Sequence, residues 1–204
     1  FRRGPMAVGV MMGGVITKVM PDAKTPDVQY FISTVSAEER GKEPHSFSGF
    51  TVSLYPMRPG SRGHVRIKSP DPAIAPAIQP NYLSSNYDRS MLIAGAKMAR
   101  ALAKTTAMSQ YIEDEYKPGS AVQSDEDVLD FVKRSASTAF HPVGTCRMGN
   151  DPDAVVDSRL RVNGVTNLRV VDASVMPTLV SGNTNAATIM IAEKASDMIR
   201  EDFV

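Results

Sequence analysis

Leu168-Arg169-Val170-Val171-Asp172-Ala173-Ser174-Val175-Met176-Pro177, followed by Ser181-Gly182-Asn183-Thr184-Asn185-Ala186-Ala187, is the stretch on which the fold turns. Its apolar run reads as a short buried strand, Asp-Ala-Ser as the turn that ends it, and Gly-Asn-Thr-Asn as the turn that opens an Ala-rich helix. That helix is expected over roughly Thr184 to Arg200, with Ile189, Ala192, Ala195 and Ile199 on one face. Both turns carry backbone N–H groups without a carbonyl partner in their own element. Such groups can hold phosphate oxygens or an anionic ring, or they can be an ordinary cap and strand-ending turn.

Upstream stands Phe140-His141-Pro142-Val143-Gly144-Thr145-Cys146-Arg147-Met148-Gly149. Proline fixes its own φ and pushes the residue before it towards extended geometry, so the imidazole of His141 has a defined direction. A lone histidine is more often structural than catalytic, and this segment alone does not decide between the two.

Further from the decisive stretch, the patterns are those of strands and packing helices. Strand signals run from Pro5 to Val19, over Val28–Val35, over Phe50–Tyr55 and over Val65–Lys68, and the last two suggest an antiparallel hairpin around Pro59–Gly63. Prolines at 72, 76 and 80 imply an extended surface crossing from Asp71 to Leu83. Helix is expected from Asp88 to Ala103, with Leu92, Ala96, Ala99 and Ala103 on one face and Ser85 or Asn86 as cap. Ser124-Asp125-Glu126-Asp127 is a capping box opening a helix whose apolar side is Val128, Phe131 and Val132. Its acids suit a helix start, and no metal site is expected. His45 and His64 are read as surface residues, and no internal repeat is visible.

Composition removes whole classes of partner. In 204 residues, 23 basic and 22 acidic side chains leave a formal charge of +1, so no basic field exists to attract nucleic acid or an anionic membrane. Cys146 is the single cysteine, which excludes an internal disulfide and fits a reducing, cytoplasmic setting, membrane association being left open. No apolar run is long enough for a transmembrane span. The chain opens Phe1-Arg2-Arg3-Gly4-Pro5, which reads like the middle of a longer protein, so a fragment is expected.

The strings HPVGTCRMG (141–149), VDSRLRVNGV (156–165), LRVVDASVMP (168–177) and SGNTNAATIMIAEKASDMI (181–199) resemble, in order and spacing, the C-terminal signature of the glucose-methanol-choline (GMC) oxidoreductases, and most closely their choline dehydrogenase-like members. SRGHVRIKSPDPAIAPAIQPNYL (61–83) is similar to that family's substrate-domain pattern, while the first sixty or so residues match loosely. The resemblance implies an FAD-dependent oxidation of an alcohol to an aldehyde, with His141 taking the hydroxyl proton as hydride passes to flavin N5, and Asn183 as the second member of the catalytic pair. It implies that Asp172 and Ala173 approach the FAD pyrophosphate and ribityl region, and that the backbone of Thr184 and Asn185 approaches the flavin pyrimidine edge.

The fold so implied is α+β. An antiparallel sheet with flanking helices forms a partial substrate-binding domain over residues 1–138. Residues 139–204 return as a catalytic segment with the last strand and helix of the FAD-binding domain. The glycine-rich G-x-G-x-x-G fingerprint of that domain is absent. The chain is therefore expected to need an N-terminal FAD-binding half, and to be inactive without it. The partner is a small-molecule alcohol, with the electron acceptor unassigned. Two rival classes are a binding or assembly module that keeps this fold without catalysis, and an enzyme using His141 with Ser137 or Cys146 as nucleophile. No activating arrangement is visible around Cys146, and the upstream aromatics form no recognisable cage for a quaternary ammonium.

Overall fold

Val28, Tyr30 and Ile32 alternate with Gln29, Phe31 and Ser33, and this period of two builds the central strand of a three-stranded antiparallel sheet. In the computed structural model, which describes residues 9–39 and 41–202, β1 (Met11–Thr17), β2 (Val28–Ser33) and β3 (Thr51–Pro56) pair in that order. Tyr30 lies opposite Val15 on one side and Leu54 on the other. The strand signals read from Pro5 onward fall outside the described residues as far as residue 8.

Helix α1 (Asn86–Ala103) lays Met91 and Gly95 against this sheet, and with Val28 and Tyr30 they make the core of the first of two compact units, residues up to 57 with 86–137. Of the expected face of Leu92, Ala96, Ala99 and Ala103, Leu92 and Ala99 pack against this core, while the buried positions lie one residue round at Met91 and Gly95, because the sheet takes the bulky Met91 and the close approach that Gly95 permits. A Cβ at Gly95 would sit 3.3 Å from Leu54 Cδ1. The Tyr30 hydroxyl donates to the Gly95 carbonyl at 2.9 Å. Burial first, and the nearby Asp27 charge second, push that hydroxyl up to about 12. Asp27 accepts from the backbone N–H of Val19 and Met20 at 2.8 and 3.1 Å, closing the β1–β2 turn.

Helix α2 (Thr106–Ser109), which the sequence reading did not foresee, is a single turn. Helix α3 (Asp125–Ser135) starts as expected: Ser124 and Asp127 form a reciprocal capping box, and Val128 is buried. His45 is less exposed than expected. It stacks on Phe47 with centroids 4.7 Å apart, meets Tyr116 edge-on at 4.9 Å, and hydrogen-bonds Ser36 through Nδ1 at 2.9 Å. Rings this close fill the space a quaternary ammonium would need, so the cluster is packing and not a cage.

The second unit comprises residues 58–85 and the described residues from 138 onward. Here the expected hairpin is corrected: β3 pairs with β2, and β4 (His64–Arg66) pairs with β5 (Ala77–Gln79). Prolines 76 and 80 flank a three-residue strand in a two-stranded sheet, where missing N–H donors cost little. The remainder is long coil pinned by single bridges, Met148 to Val156, Val156 to Val162 and Arg161 to Arg169. The expected strand through Leu168–Val171 is therefore extended chain held at one point, without a ladder.

Helix α4 (Asn185–Glu201) closes this unit's core, where Ile191 and Ala195 meet Val156, Leu160, Val175 and Met176. The expected face is again shifted: Ile189 and Ile199 are exposed, and Ile191 takes the inward position. At the helix end Arg159 donates to the Met198 carbonyl at 3.1 Å, and Arg159, Arg161 and Arg169 converge on Asp202. These guanidinium groups hold the Asp202 carboxyl well below the usual carboxylate range, the hydrogen bonds from Arg161 and Arg169 being the largest causes. Antiparallel sheets with helices make the whole α+β, as expected.

Candidate functional site

The segment bearing His141 is fastened at both ends. On the N-terminal side, Thr138 Oγ1 accepts from the Phe140 N–H at 3.0 Å and from the Tyr82 hydroxyl at 2.8 Å. Phe140 has φ +60, a left-handed conformation that costs a non-glycine residue about 1–2 kcal/mol. His141 is set between that bend and Pro142, so its direction is over-determined. On the C-terminal side, Cys146 N–H donates to the Ser174 carbonyl at 3.0 Å and Met148 N–H to the Val175 carbonyl at 2.9 Å. These bonds lay the histidine segment along the Asp-Ala-Ser turn. Between the ends, Val143 packs on the core and Gly144 has φ +90.

The Asp-Ala-Ser turn is a short 3-10 helix (Ala173–Val175) capped by Asp172. The Asp172 carboxylate accepts from the Ser174 N–H at 2.7 Å and from its hydroxyl. At this first turn one N–H that the sequence reading left available is therefore satisfied locally, and the Asp172 side chain is engaged in holding the turn.

The second turn is different. Thr184 occupies the N-cap of α4 but has helical φ and ψ, −77 and −16°, and its side chain makes no capping hydrogen bond. The first-turn N–H groups of α4, beginning at Asn185, thus receive no acceptor from the cap residue. Thr184 Oγ1 instead lies 2.9 Å from His141 Nδ1. The structure therefore brings His141 and Thr184 into contact, and Asn183 is one residue away along the chain. His141, Asn183 and Asn185 are exposed, while Thr184 is 6% exposed. Gly182, at φ +149 with open space around it, leads the chain into this turn, and the Arg58 guanidinium donates to the Ser181 hydroxyl at 2.5 Å.

Sequence reasoning marked Thr184 for its backbone alone. Nothing in the string Asn-Thr-Asn signals where the hydroxyl points, and the left-handed Phe140 has no sequence signal either. Among the described residues no group of three His, Cys, Asp or Glu side chains could hold a metal ion, and no helix is long and apolar enough to cross a membrane.

A sequence model of the GMC oxidoreductase family matches residues 59–192. An alcohol dehydrogenase [acceptor] of Pseudomonas putida is 42% identical over 198 residues, covering 97% of this chain and 36% of the relative. An oxygen-dependent choline dehydrogenase of Escherichia coli is 46% identical over 175 residues, covering 86% of this chain and 31% of the relative. The chain thus spans about a third of the length of these relatives. Among solved structures, pyridoxine 4-oxidase from Mesorbium loti superimposes with a TM-score of 0.83 at 32% identity over 92% of this chain and 37% of that one. A formate oxidase of Aspergillus oryzae, solved to follow modification of its FAD, gives 0.80 at 27% identity over 88% of this chain and 32% of that one. With the family match spanning the histidine segment, both turns and the start of α4, the chain belongs to the GMC oxidoreductase family.

Proposed function

We propose that this chain is the substrate-side, catalytic part of an FAD-dependent enzyme that oxidises an alcohol to an aldehyde, with His141 as proton acceptor. The observation that carries the reading is the 2.9 Å contact between His141 Nδ1 and Thr184 Oγ1. It joins the histidine segment to the start of α4, two segments far apart in sequence, and gathers His141, Asn183 and the N-terminus of α4 at one place. Residues 1–138 would form the partial substrate domain and 139–204 the segment completing the flavin site.

The residues fit the group the family implies. An N-cap whose side chain does not cap, preceded by a glycine with open space, is a suitable cradle for the electron-rich edge of a ring. Asp172 and Ala173 on the 3-10 turn, and the backbone of Thr184 and Asn185 at the helix start, are the residues that would hold FAD. Bound there, the flavin supplies the acceptor for the carbinol hydride.

The chain's own part is proton transfer and charge stabilisation. An alcohol is too weak an acid to ionise at neutral pH, and His141 takes its proton as hydride departs, a contribution of about 10²–10⁴-fold for a positioned base. Asn183 cannot accept a proton. Its amide donates to the substrate oxygen as negative charge grows there. The names of the relatives support an alcohol as the class of substrate.

The test is anaerobic flavin reduction by a panel of primary alcohols, in the full-length protein carrying this chain, with His141→Ala beside it. Wild-type flavin should bleach, and the variant, with flavin still bound, should slow by about 10²–10⁴-fold. Flavin that no alcohol reduces, or that the variant reduces equally fast, would reject the assignment and favour a non-catalytic module.

A further inference from the structure

We propose that Thr184 is the positioning residue of the His141 base: its hydroxyl accepts a hydrogen bond from Nδ1–H, which leaves Nε2 as the atom that receives the alcohol's proton. The proposal rests on the reading of His141 as proton acceptor. It adds a role for a side chain that neither turn chemistry nor the sequence pattern assigns.

Three observations carry it. The first is that Thr184 sits at a helix N-cap and does not cap. A threonine hydroxyl there ordinarily accepts a first-turn N–H and contributes about 1 kcal/mol. Here the backbone is helical, that bond is not made, and Oγ1 lies 2.9 Å from His141 Nδ1.

The second is burial. Thr184 is buried while His141, Asn183 and Asn185 around it are exposed. A buried hydroxyl on a β-branched side chain has few rotamers, so it is a firm anchor for an exposed ring. Its carbonyl is fixed from the helix side by the Thr188 N–H and hydroxyl, both at 2.9 Å. α4 therefore holds the anchor in place.

The third is chemical type. When Nδ1–H donates to Oγ1, Nε2 keeps its lone pair and can accept a proton. The alcohol O–H bond breaks, its proton goes to Nε2, and Nδ1–H stays where it was, so the hydrogen bond to Thr184 survives the transfer unchanged. A carboxylate at the same place would favour the imidazolium strongly and hinder its return to neutral; a hydroxyl orients the ring without that bias.

The experiment uses the full-length flavoprotein, with Thr184→Val, Thr184→Ala, Thr184→Ser, His141→Gln and the double variant H141Q/T184V. In anaerobic reduction by a primary alcohol, Thr184→Val should keep flavin content and alcohol Kd near wild type but slow reduction by about 10–100-fold, the usual range for loss of an orienting partner. Thr184→Ser should restore most of the rate, and Thr184→Ala serves if Thr184→Val fails to load flavin. In ¹⁵N-histidine NMR the resonances missing in His141→Gln should report Nδ1–H in wild type and Thr184→Ser, and a mixture of tautomers in Thr184→Val. The double variant should reduce no more slowly than His141→Gln. Wild-type rates in Thr184→Val, no rescue by Thr184→Ser, an unchanged tautomer, or additive losses would each overturn the proposal. If His141→Gln slows reduction and Thr184→Val does not, only the positioning role falls. If His141→Gln is itself as fast as wild type, the underlying reading of the base falls with it.

Discussion

Gly144 stands three residues after His141 at φ +90, and a Cβ built there would lie 3.3 Å from the Met176 carbonyl oxygen. Both facts oppose a side chain: the left-handed backbone by about 1–2 kcal/mol, and the carbonyl because, as main chain of the core segment, it has little room to yield. Gly144→Ala should therefore destabilise the protein by about 1–2 kcal/mol and slow alcohol-dependent flavin reduction, since the strand of chain that aims His141 would shift. Thermal unfolding and anaerobic reduction measure the two effects, and an unchanged midpoint with an unchanged rate would mean the segment is less tightly held than its geometry implies. The His-Pro dipeptide and the glycines of this segment made a stiff backbone legible in the sequence. What was not legible is the cause of the stiffness, because a left-handed Phe140 and a carbonyl from Met176 are properties of the fold around the segment.

At the scale of elements, β-rich composition located β2 and period-two alternation located β3 and β4, each to within a residue or two, but neither said which strand pairs with which. The expected β3–β4 hairpin failed because β2 presents a better-matched row: Val28, Tyr30 and Ile32 stand opposite Pro56, Leu54 and Val52. Local pattern records a strand's faces, and pairing depends on which other row and which helix are there to cover them. The same reason shifted the buried faces of α1 and α4, where Gly95 and Ile191 took positions that apolar periodicity gave to alanine and Ile189. The sheet–helix joint of the first unit can be tested through Tyr30. Its raised hydroxyl, about 12 against 10 unfolded, contributes stability below pH 10 that is lost as pH rises from 10 towards 12. Tyr30→Phe should cost about 1–3 kcal/mol at neutral pH, because the hydroxyl no longer reaches the Gly95 carbonyl, and should flatten the alkaline limb of the stability profile. Denaturant midpoints across that range read both. A variant as alkali-sensitive as wild type would show that Tyr30 is not the group that titrates.

For the whole molecule, the question is how much of a flavin site a third of the family's length can hold. The turns that face the cofactor in this reading supply oriented N–H groups, and a helix N-terminus favours a negative charge by about 0.3–1 kcal/mol. Micromolar retention requires about 8 kcal/mol, so these groups can tune a bound flavin but fall far short of binding one. The remaining contacts in this reading belong to the glycine-rich dinucleotide fold, whose fingerprint this sequence does not contain. The second unit also exposes apolar side chains, Ile78 of β5 being 66% accessible and Ile67, just past the end of β4, 88%. The 204-residue chain, purified with excess FAD and passed through gel filtration, should therefore carry well under one flavin per chain, about a tenth or less at micromolar protein. Joined behind a family FAD-binding half it should carry one. Stoichiometric flavin on the isolated chain would mean that these two turns bind far more strongly than their hydrogen bonds account for, and the division of the site between two halves would have to be redrawn.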